Sequence, residues 1–237
     1  MATAPGLQIS QDFLSPAECH AIILSIEEYR SQHEVPLIER PGRGRPLKYR
    51  VINGDEIQNR LPAIQELYES VLRVVRREIN QNVVPLSNRI VRVNINITPA
   101  GGAYRWHYDR NAVTAILYLN EVEGGEIEAY PNYRLLLPGA RASRMQGYLD
   151  RLLQLDIVLR AFGQKNTIAP RSGLLIIMRG DRCLHSVRPV SGNSERLCVV
   201  MSFDFPDAAF PQELELDPYL YSSQKFAPKS DPNYSSR

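Results

Sequence analysis

The chain has 237 residues, 43% of them hydrophobic and 23% charged, with a formal net charge of +2. That is enough apolar material for one sizeable core, without the bias of a disordered chain, and too little charge to draw a polyanionic partner by itself. Cys19, Cys183 and Cys198 show no C-x-x-C spacing and read as free thiols of a reducing compartment. No apolar run approaches the roughly 18 residues of a membrane span, and the N-terminus MATAPGLQIS lacks a charged start before an apolar run, so a soluble cytoplasmic protein is expected.

Ser15-Pro16-Ala17-Glu18 has the spacing of a capping box with proline at the first helical position, and Cys19, Ile22, Ile23, Ile26 and Tyr29 follow on one face. The next stretch, ERPGRGRPLKYR, sets Arg40, Arg43, Arg45, Lys48 and Arg50 among prolines and glycines, which predicts a loop. Its charge suits either solvent or an anionic substrate. A second helix is predicted from about Pro62, with Ile64, Leu67, Tyr68, Val71, Leu72, Val75 and Ile79 at helical spacing. Both helical stripes suit packing on a sheet.

From Arg89 the period changes to two. Val91, Val93, Ile95 and Ile97 alternate with Arg92, Asn94 and Asn96, as in a half-buried strand. The turn Pro99-Ala100-Gly101-Gly102 leads into a strand bearing His107 and Asp109. AVTAILYLN, GEIEAY after Gly124-Gly125, SGLLIIMR and RLCVVMSFDF follow as further short strands. Such a series points to a sandwich or jelly roll. Residues 141–163 break the rhythm with Met145, Tyr148, Leu149, Leu152, Val158, Leu159 and Phe162 at helical intervals, predicting one inserted helix on the outside of the sheet. From Pro206 prolines and serines increase. The expected fold is mainly β with flanking helices: a single domain over 1–205, with helical support at about 12–80, a jelly-roll core at about 89–205 and a loosely ordered extension over 206–237.

The chemistry concentrates in YRWHYDRN and RCLHSVRP. Residues two apart on a strand share a face, so His107 and Asp109 can reach one metal while Tyr108 points away. With His185 from another strand they make two imidazoles and a carboxylate, the facial set that leaves coordination positions open on non-haem iron. Cys183 is a conceivable further ligand but reads as a small buried strand residue. His20 and His33 fall in or beside the first helix and need no functional explanation. Arg196 opens an apolar strand that carries its guanidinium into the barrel, where it needs an anion; Glu195, its neighbour, faces the opposite way. A dicarboxylate that chelates the metal at one end and pairs with Arg196 at the other, namely 2-oxoglutarate, meets the requirement.

The stretch from about Arg89 to Phe205 resembles the Fe(II)/2-oxoglutarate-dependent dioxygenases, specifically the prolyl 4-hydroxylase-like branch. The shared pattern is H-x-D, then Val113-Thr114-Ala115-Ile116-Leu117-Tyr118-Leu119-Asn120, then Gly124-Gly125-Glu126-Ile127, then His185 to Pro189, and Arg196. The resemblance implies a double-stranded β-helix holding Fe(II) through His107, Asp109 and His185, with 2-oxoglutarate bound by Arg196 and Tyr118. Asn94 and Thr114 are weaker candidates for the same co-substrate. It also implies O2 as oxidant, ascorbate as a possible support, and oxidative decarboxylation of 2-oxoglutarate to succinate and CO2 coupled to hydroxylation of an unactivated C–H bond. Relatives carry a tyrosine just before the turn that precedes H-x-D, where this chain has Asn96-Ile97-Thr98; Asn94 or Asn96 is the expected replacement. Asp109 argues against the halogenases of the superfamily, which lose that carboxylate. Ser202 stands where nucleic-acid demethylases carry a second arginine, so no nucleic-acid partner is expected. The preferred substrate is a small molecule, either a free amino acid or a biosynthetic intermediate, contacted by Arg45, Arg105 and Trp106. A prolyl hydroxylase acting on a peptide or protein is the alternative, and a non-enzymatic ligand-binding jelly roll the more distant one.

Overall fold

The computed structural model describes residues 2–40, 45, 47–137, 144–206 and 220–221. In chain order the elements are β1 (Ala2–Ala4), β2 (Leu7–Ser10), α1 (Pro16–Gln32), β3 (Leu37–Arg40), β4 (Leu47–Ile52), α2 (Gly54–Arg60), α3 (Pro62–Ile79), β5 (Val84–Pro85) and α4 (Arg89–Arg92). Then come β6 (Val93–Thr98), β7 (Tyr104–His107), β8 (Val113–Tyr118), β9 (Ile127–Tyr130), α5 (Arg144–Leu153), α6 (Asp156–Phe162), β10 (Asn166–Ile168), β11 (Leu175–Met178), β12 (Leu184–Val187) and β13 (Arg196–Asp204).

Two sheets form. The large one runs β1-β2-β11-β8-β13-β6-β4-β3, with β5 added on β13, and the small one runs β10-β9-β12-β7. Every pairing among the described strands is antiparallel. This is the mainly β, helix-flanked jelly roll that the sequence predicts.

The helices cover one face of the large sheet. Ser15 caps α1 through the predicted capping box, its backbone N–H donating to Glu18 Oε2 at 2.8 Å. Ile26 of α1 and Ile64, Val71 and Val75 of α3 pack against Ile95, Leu117, Val199 and Phe203. The Tyr68 hydroxyl donates to the Ser202 carbonyl at 3.1 Å, so the one polar atom of a buried aromatic is satisfied.

On β6 and β13 the alternation separates a helix-covered face from the space between the two sheets, rather than core from water. Ile95 and Ile97 face the helices, while Asn94, Asn96 and Thr98 are buried on the other side. The predicted half-buried strand therefore has both faces covered.

Several elements differ from expectation. The alternation predicted from Arg89 begins at Val93, because Asn88 caps a short helical turn, α4, with its side chain accepting from Ile90 N. Helix α2, capped by Asn53, and the N-terminal hairpin β1–β2 were not expected. The basic stretch is largely the β3–β4 hairpin rather than a loop: Leu37–Arg40 pairs with Leu47–Arg50, and of its turn only Arg45 is described.

The single helix predicted over 141–163 is two, α5 and α6, separated at Gln154-Leu155, and its start falls outside the described residues. Only part of its apolar stripe docks. Met145, Tyr148, Leu152 and Phe162 are exposed, and α5 is held by polar groups. Arg134 donates to both carboxylate oxygens of Asp150, at 3.0 and 2.6 Å, while stacking 4.7 Å from the centre of the Tyr108 ring. Leu159 of α6 completes the contact by packing with Tyr108 and Leu184 on the outer face of the small sheet. Of the C-terminal extension, Leu220 and Tyr221 are described, and they pack on the β3–β4 hairpin.

Ile64 is fully buried between α3 and the sheet. Ile64→Ala is expected to cost about 2–5 kcal/mol of unfolding free energy in urea titrations; a cost under about 1 kcal/mol would mean that α3 does not form the core wall.

Candidate metal centre

The register of the small sheet places His185 of β12 directly opposite His107 of β7, and their rings lie 4.2 Å apart between centroids. Both are nearly fully buried. His107 Nδ1 lies 2.8 Å from the Arg105 carbonyl and His185 Nδ1 lies 3.0 Å from the Cys183 carbonyl. These carbonyls are acceptors, so each ring places a proton on Nδ1 and turns Nε2 toward Asp109. Each Nε2 is 3.6 Å from Asp109 Oδ1.

Asp109 sits just past the end of β7. Its backbone N–H donates to the Gly180 carbonyl at 3.0 Å. Its Oδ2 accepts from the Thr114 hydroxyl at 2.5 Å, and Thr114 Oγ1 in turn accepts from Asn111 Nδ2 at 2.9 Å. One carboxylate oxygen is thus held and the other is left facing the histidines. Gly180 permits this: a Cβ there would lie 2.6 Å from both Asp109 Oδ2 and Thr114 Oγ1.

The three ligand atoms all lie within 4.8 Å of one another. Bonds of roughly 2.0–2.2 Å to one ion would require separations below about 4.5 Å, which the two 3.6 Å spacings to Asp109 already satisfy. Burial first, and then the neighbouring His185, push the His107 pKa well below the usual imidazole value, so the ring is neutral and competent as a ligand near neutral pH. Cys183 is outside this cluster, and burial pushes its thiol pKa up. All three cysteines are free and buried.

The triad opens into a cavity of about 120 Å³ between the sheets. Arg196 reaches it from β13, 3% exposed, with Nη1 donating to the Gly125 carbonyl and Nη2 to Thr98 Oγ1, each at 3.1 Å. Gly125, at φ +65°, allows this close approach, since a Cβ there would be 3.1 Å from Arg196 Cδ. Arg196 Nε and the Tyr118 hydroxyl are buried with no hydrogen-bond partner among the described residues, and no carboxylate among them pairs with the guanidinium. Glu195 instead pairs with Arg30 on the far side, at 2.7 Å. Burial raises the Tyr118 pKa, so its phenol remains a donor.

Asn94, Thr114 and Tyr118 line the cavity, although the hydroxyl of Thr114 is committed to Asp109. Arg45, Arg105 and Trp106 do not line it. Arg45 lies on the outer face of the small sheet, bonded to Glu128 at 2.6 Å and Ser186 Oγ at 2.7 Å, and 5.8 Å from the centre of the Trp106 ring. Trp106 packs beside Tyr130, and Arg105 contributes its carbonyl to His107. In the structure these three therefore lie behind the small sheet and not among the lining residues of this cavity.

Cavity residues that the sequence did not single out are Tyr49, Tyr104, Leu220 and Tyr221. Strict alternation puts Tyr104 on the face opposite His107. A register shift between β7 and β12 brings both inward. Thr98 Oγ1 donates to Asn96 Oδ1 at 3.0 Å, and Asn96 Nδ2 donates to the Tyr104 hydroxyl, linking Arg196 to Tyr104 in a chain.

If Thr114 orients Asp109, Thr114→Val should weaken Ni(II) binding by about 10–100-fold with little change in melting temperature of the metal-free protein. Unaltered Ni(II) affinity in calorimetry would refute that role. The lowered His107 pKa also has a stability consequence. The unfolded chain takes up this proton near pH 6.5, above the folded value, so the metal-free protein should lose stability as pH falls through that window. His107→Gln should flatten the loss in urea midpoints measured between about pH 7 and 4.5; an equal slope in both proteins would contradict the burial of a neutral imidazole.

Residues 90–203 match the model of the 2OG-Fe(II) oxygenase superfamily. No curated protein matches the chain in sequence. Among solved structures, the non-heme alpha ketoglutarate dependent carbocyclase SnoK from nogalamycin biosynthesis superposes with a TM-score of 0.65 at 13% identity, covering 95% of this chain and 90% of that one. HygX from Streptomyces hygroscopicus, solved with nickel and 2-oxoglutarate bound, gives 0.54 at 14% identity over 86% and 84%. A Pseudomonas putida prolyl-4-hydroxylase gives 0.53 at 18% identity over 85% and 93%. These likenesses are of fold. The family match itself assigns residues 90–203, which hold the histidine-aspartate-histidine cluster, to the 2OG-Fe(II) oxygenase superfamily, whose members use Fe(II) and 2-oxoglutarate.

Proposed function

We propose that the protein hydroxylates an unactivated C–H bond of a small molecule, with Fe(II) held by His107, Asp109 and His185 and 2-oxoglutarate held by Arg196 and Tyr118. The observation that carries this reading is one cavity containing both a three-ligand metal set and a buried guanidinium without a carboxylate partner among the described residues. When bound, the metal and co-substrate supply an oxidant derived from O2 as 2-oxoglutarate loses CO2.

The protein's own residues bind and orient. A buried guanidinium with no carboxylate partner among the described residues demands an anion, and its planar fork suits a carboxylate. Its two carbonyl and hydroxyl contacts fix the plane, while its Nε–H and the Tyr118 phenol remain available as donors. The two imidazoles and Asp109 together carry one negative charge, which partly neutralises a divalent ion and leaves positions open on it. The buried walls exclude bulk water from the reacting atoms.

A small-molecule substrate fits the modest cavity, which the β3–β4 hairpin and the Leu220–Tyr221 segment wall off on one side. Pockets that bury drug-sized ligands are larger, roughly 300–1,000 Å³. The test is anaerobic loading with Fe(II) and 2-oxoglutarate, followed by exposure to O2 with candidate small molecules and proline-containing peptides, reading succinate and a product heavier by one oxygen. Stimulation by a small molecule is expected; stimulation by peptides alone would overturn the substrate class.

Arg196→Lys keeps the charge but loses the fork and a charge-assisted hydrogen bond of roughly 1.5–3 kcal/mol. The concentration of 2-oxoglutarate needed for half-maximal succinate release should then rise about tenfold or more. An unchanged requirement in Arg196→Ala would remove Arg196 from the co-substrate site.

A further inference from the structure

The charge around the cavity restricts what can enter it. Besides the two histidines, the charged side chains among its described lining residues are Asp109 and Arg196. Add a ferrous ion and the 2-oxoglutarate dianion, and the charges cancel: two positive on the metal and one on Arg196, against one negative on Asp109 and two on the co-substrate. A further ion would enter a buried, already neutral site, where no counter-charge offsets its loss of hydration.

Among the described residues of the basic hairpin, no arginine or lysine lines the cavity. Arg45 is bonded to Glu128 outside the small sheet, Arg50 donates to the Val35 carbonyl at 2.8 Å, and neither lines the cavity. What the hairpin presents instead is aromatic. Tyr49 stacks on Tyr104 with ring centroids 4.8 Å apart and planes at 25°.

The C-terminal extension adds to this wall. The Leu220 side chain is buried with Ile38, Leu47, Tyr49 and Val51, and the Tyr49 hydroxyl donates to the Leu220 carbonyl at 2.6 Å. That anchor positions the half-buried Tyr221 at the cavity beside Tyr49 and Tyr104. The cavity therefore sets these aromatic rings, with aliphatic side chains such as Val187, against the groups that would hold metal and co-substrate, Tyr104 lying 6.2 Å from the His107 ring between centroids.

We infer that the Tyr49–Tyr104–Tyr221 wall is the substrate-binding surface, that it takes a small uncharged aromatic molecule, and that Tyr221 determines specificity by contacting its ring. Aromatic faces prefer offset or tilted rings at about 4.5–7 Å, each such pair adding to area burial. The inference rests on the small-molecule oxygenase reading and narrows it: a neutral ring-bearing intermediate is selected over a free amino acid, whose ammonium and carboxylate groups would meet no further charged side chain among the described lining residues once Asp109 and Arg196 are engaged.

The full-length chain loaded with Ni(II) and saturating 2-oxoglutarate provides the test, with binding read by ligand-observed NMR and fluorescence titration. The probes are 2-naphthol, 2-naphthoate, phenylalanine and N-acetylprolinamide. Expected are binding of 2-naphthol and at least tenfold weaker binding of the other three. Tyr221→Ala should weaken 2-naphthol about tenfold and Tyr221→Phe should retain it, with Ni(II) and 2-oxoglutarate affinities unchanged in both variants. Equal or tighter binding of 2-naphthoate, phenylalanine or N-acetylprolinamide would overturn the inference. So would a Tyr221→Ala protein that holds 2-naphthol undiminished while still binding 2-oxoglutarate. A wild-type protein that binds neither Ni(II) nor 2-oxoglutarate would instead sink the underlying co-substrate reading, and this inference with it.

Discussion

The site depends first on the cross-strand pairing of His185 with His107. Side chains on a strand alternate faces, so a one-residue slip of β12 would turn His185 outward and bring Leu184 or Ser186 into the cavity. The register is held from both sides. Inside, Ile127 and Ala129 of β9 pack with Tyr118 and Cys183; outside, Leu184 packs with Tyr108 and Leu159. The helical insertion therefore serves the metal centre from behind: α6 buttresses the residues next in sequence to His107, Asp109 and His185. This is a packing role, compatible with the polar anchor of α5 through Arg134 and Asp150.

Asp109 follows a different rule. It lies beyond the end of β7, so no ladder bond sets its position. Its backbone N–H is held by Gly180, its outer oxygen by Thr114, and the space around both is kept open by the absence of a side chain at position 180. A carboxylate fixed at one oxygen and free at the other is what a shared metal site requires. The same economy is visible at Arg196, where Thr98 lies directly across from it on β6 and receives Nη2, and a glycine turn receives Nη1.

Much of this was readable from spacing. The capping box at Ser15, the stripe on α3, the H-x-D pair and the distant histidine follow from short-range periodicity and from what a metal needs, and the structure brings these residues where that reasoning puts them. What escaped depends on information that periodicity does not hold. The strand now seen as β6 was read as half-buried, with Asn94 and Asn96 tied to the co-substrate only through the family resemblance, because alternation cannot distinguish water from a polar cavity. Tyr104 was hidden by a register shift that breaks the period. Tyr221 lies far along the chain in the proline- and serine-enriched extension expected to be loosely ordered, and its approach to Tyr104 is a tertiary event anchored by Leu220. Arg45 was misplaced for the opposite reason: its charge was visible, its partner Glu128 on another strand was not.

The central claim is that one metal ion and one 2-oxoglutarate share this cavity, the first on the triad and the second between the metal and Arg196. Titration calorimetry of 2-oxoglutarate into the anaerobic protein, with and without Ni(II), tests it most directly. The account predicts one Ni(II) per chain, one 2-oxoglutarate per Ni(II)-loaded chain, and loss of both on His185→Ala in a protein that still melts cooperatively. Equally tight 2-oxoglutarate binding without metal, or Ni(II) binding that survives His185→Ala undiminished, would contradict it.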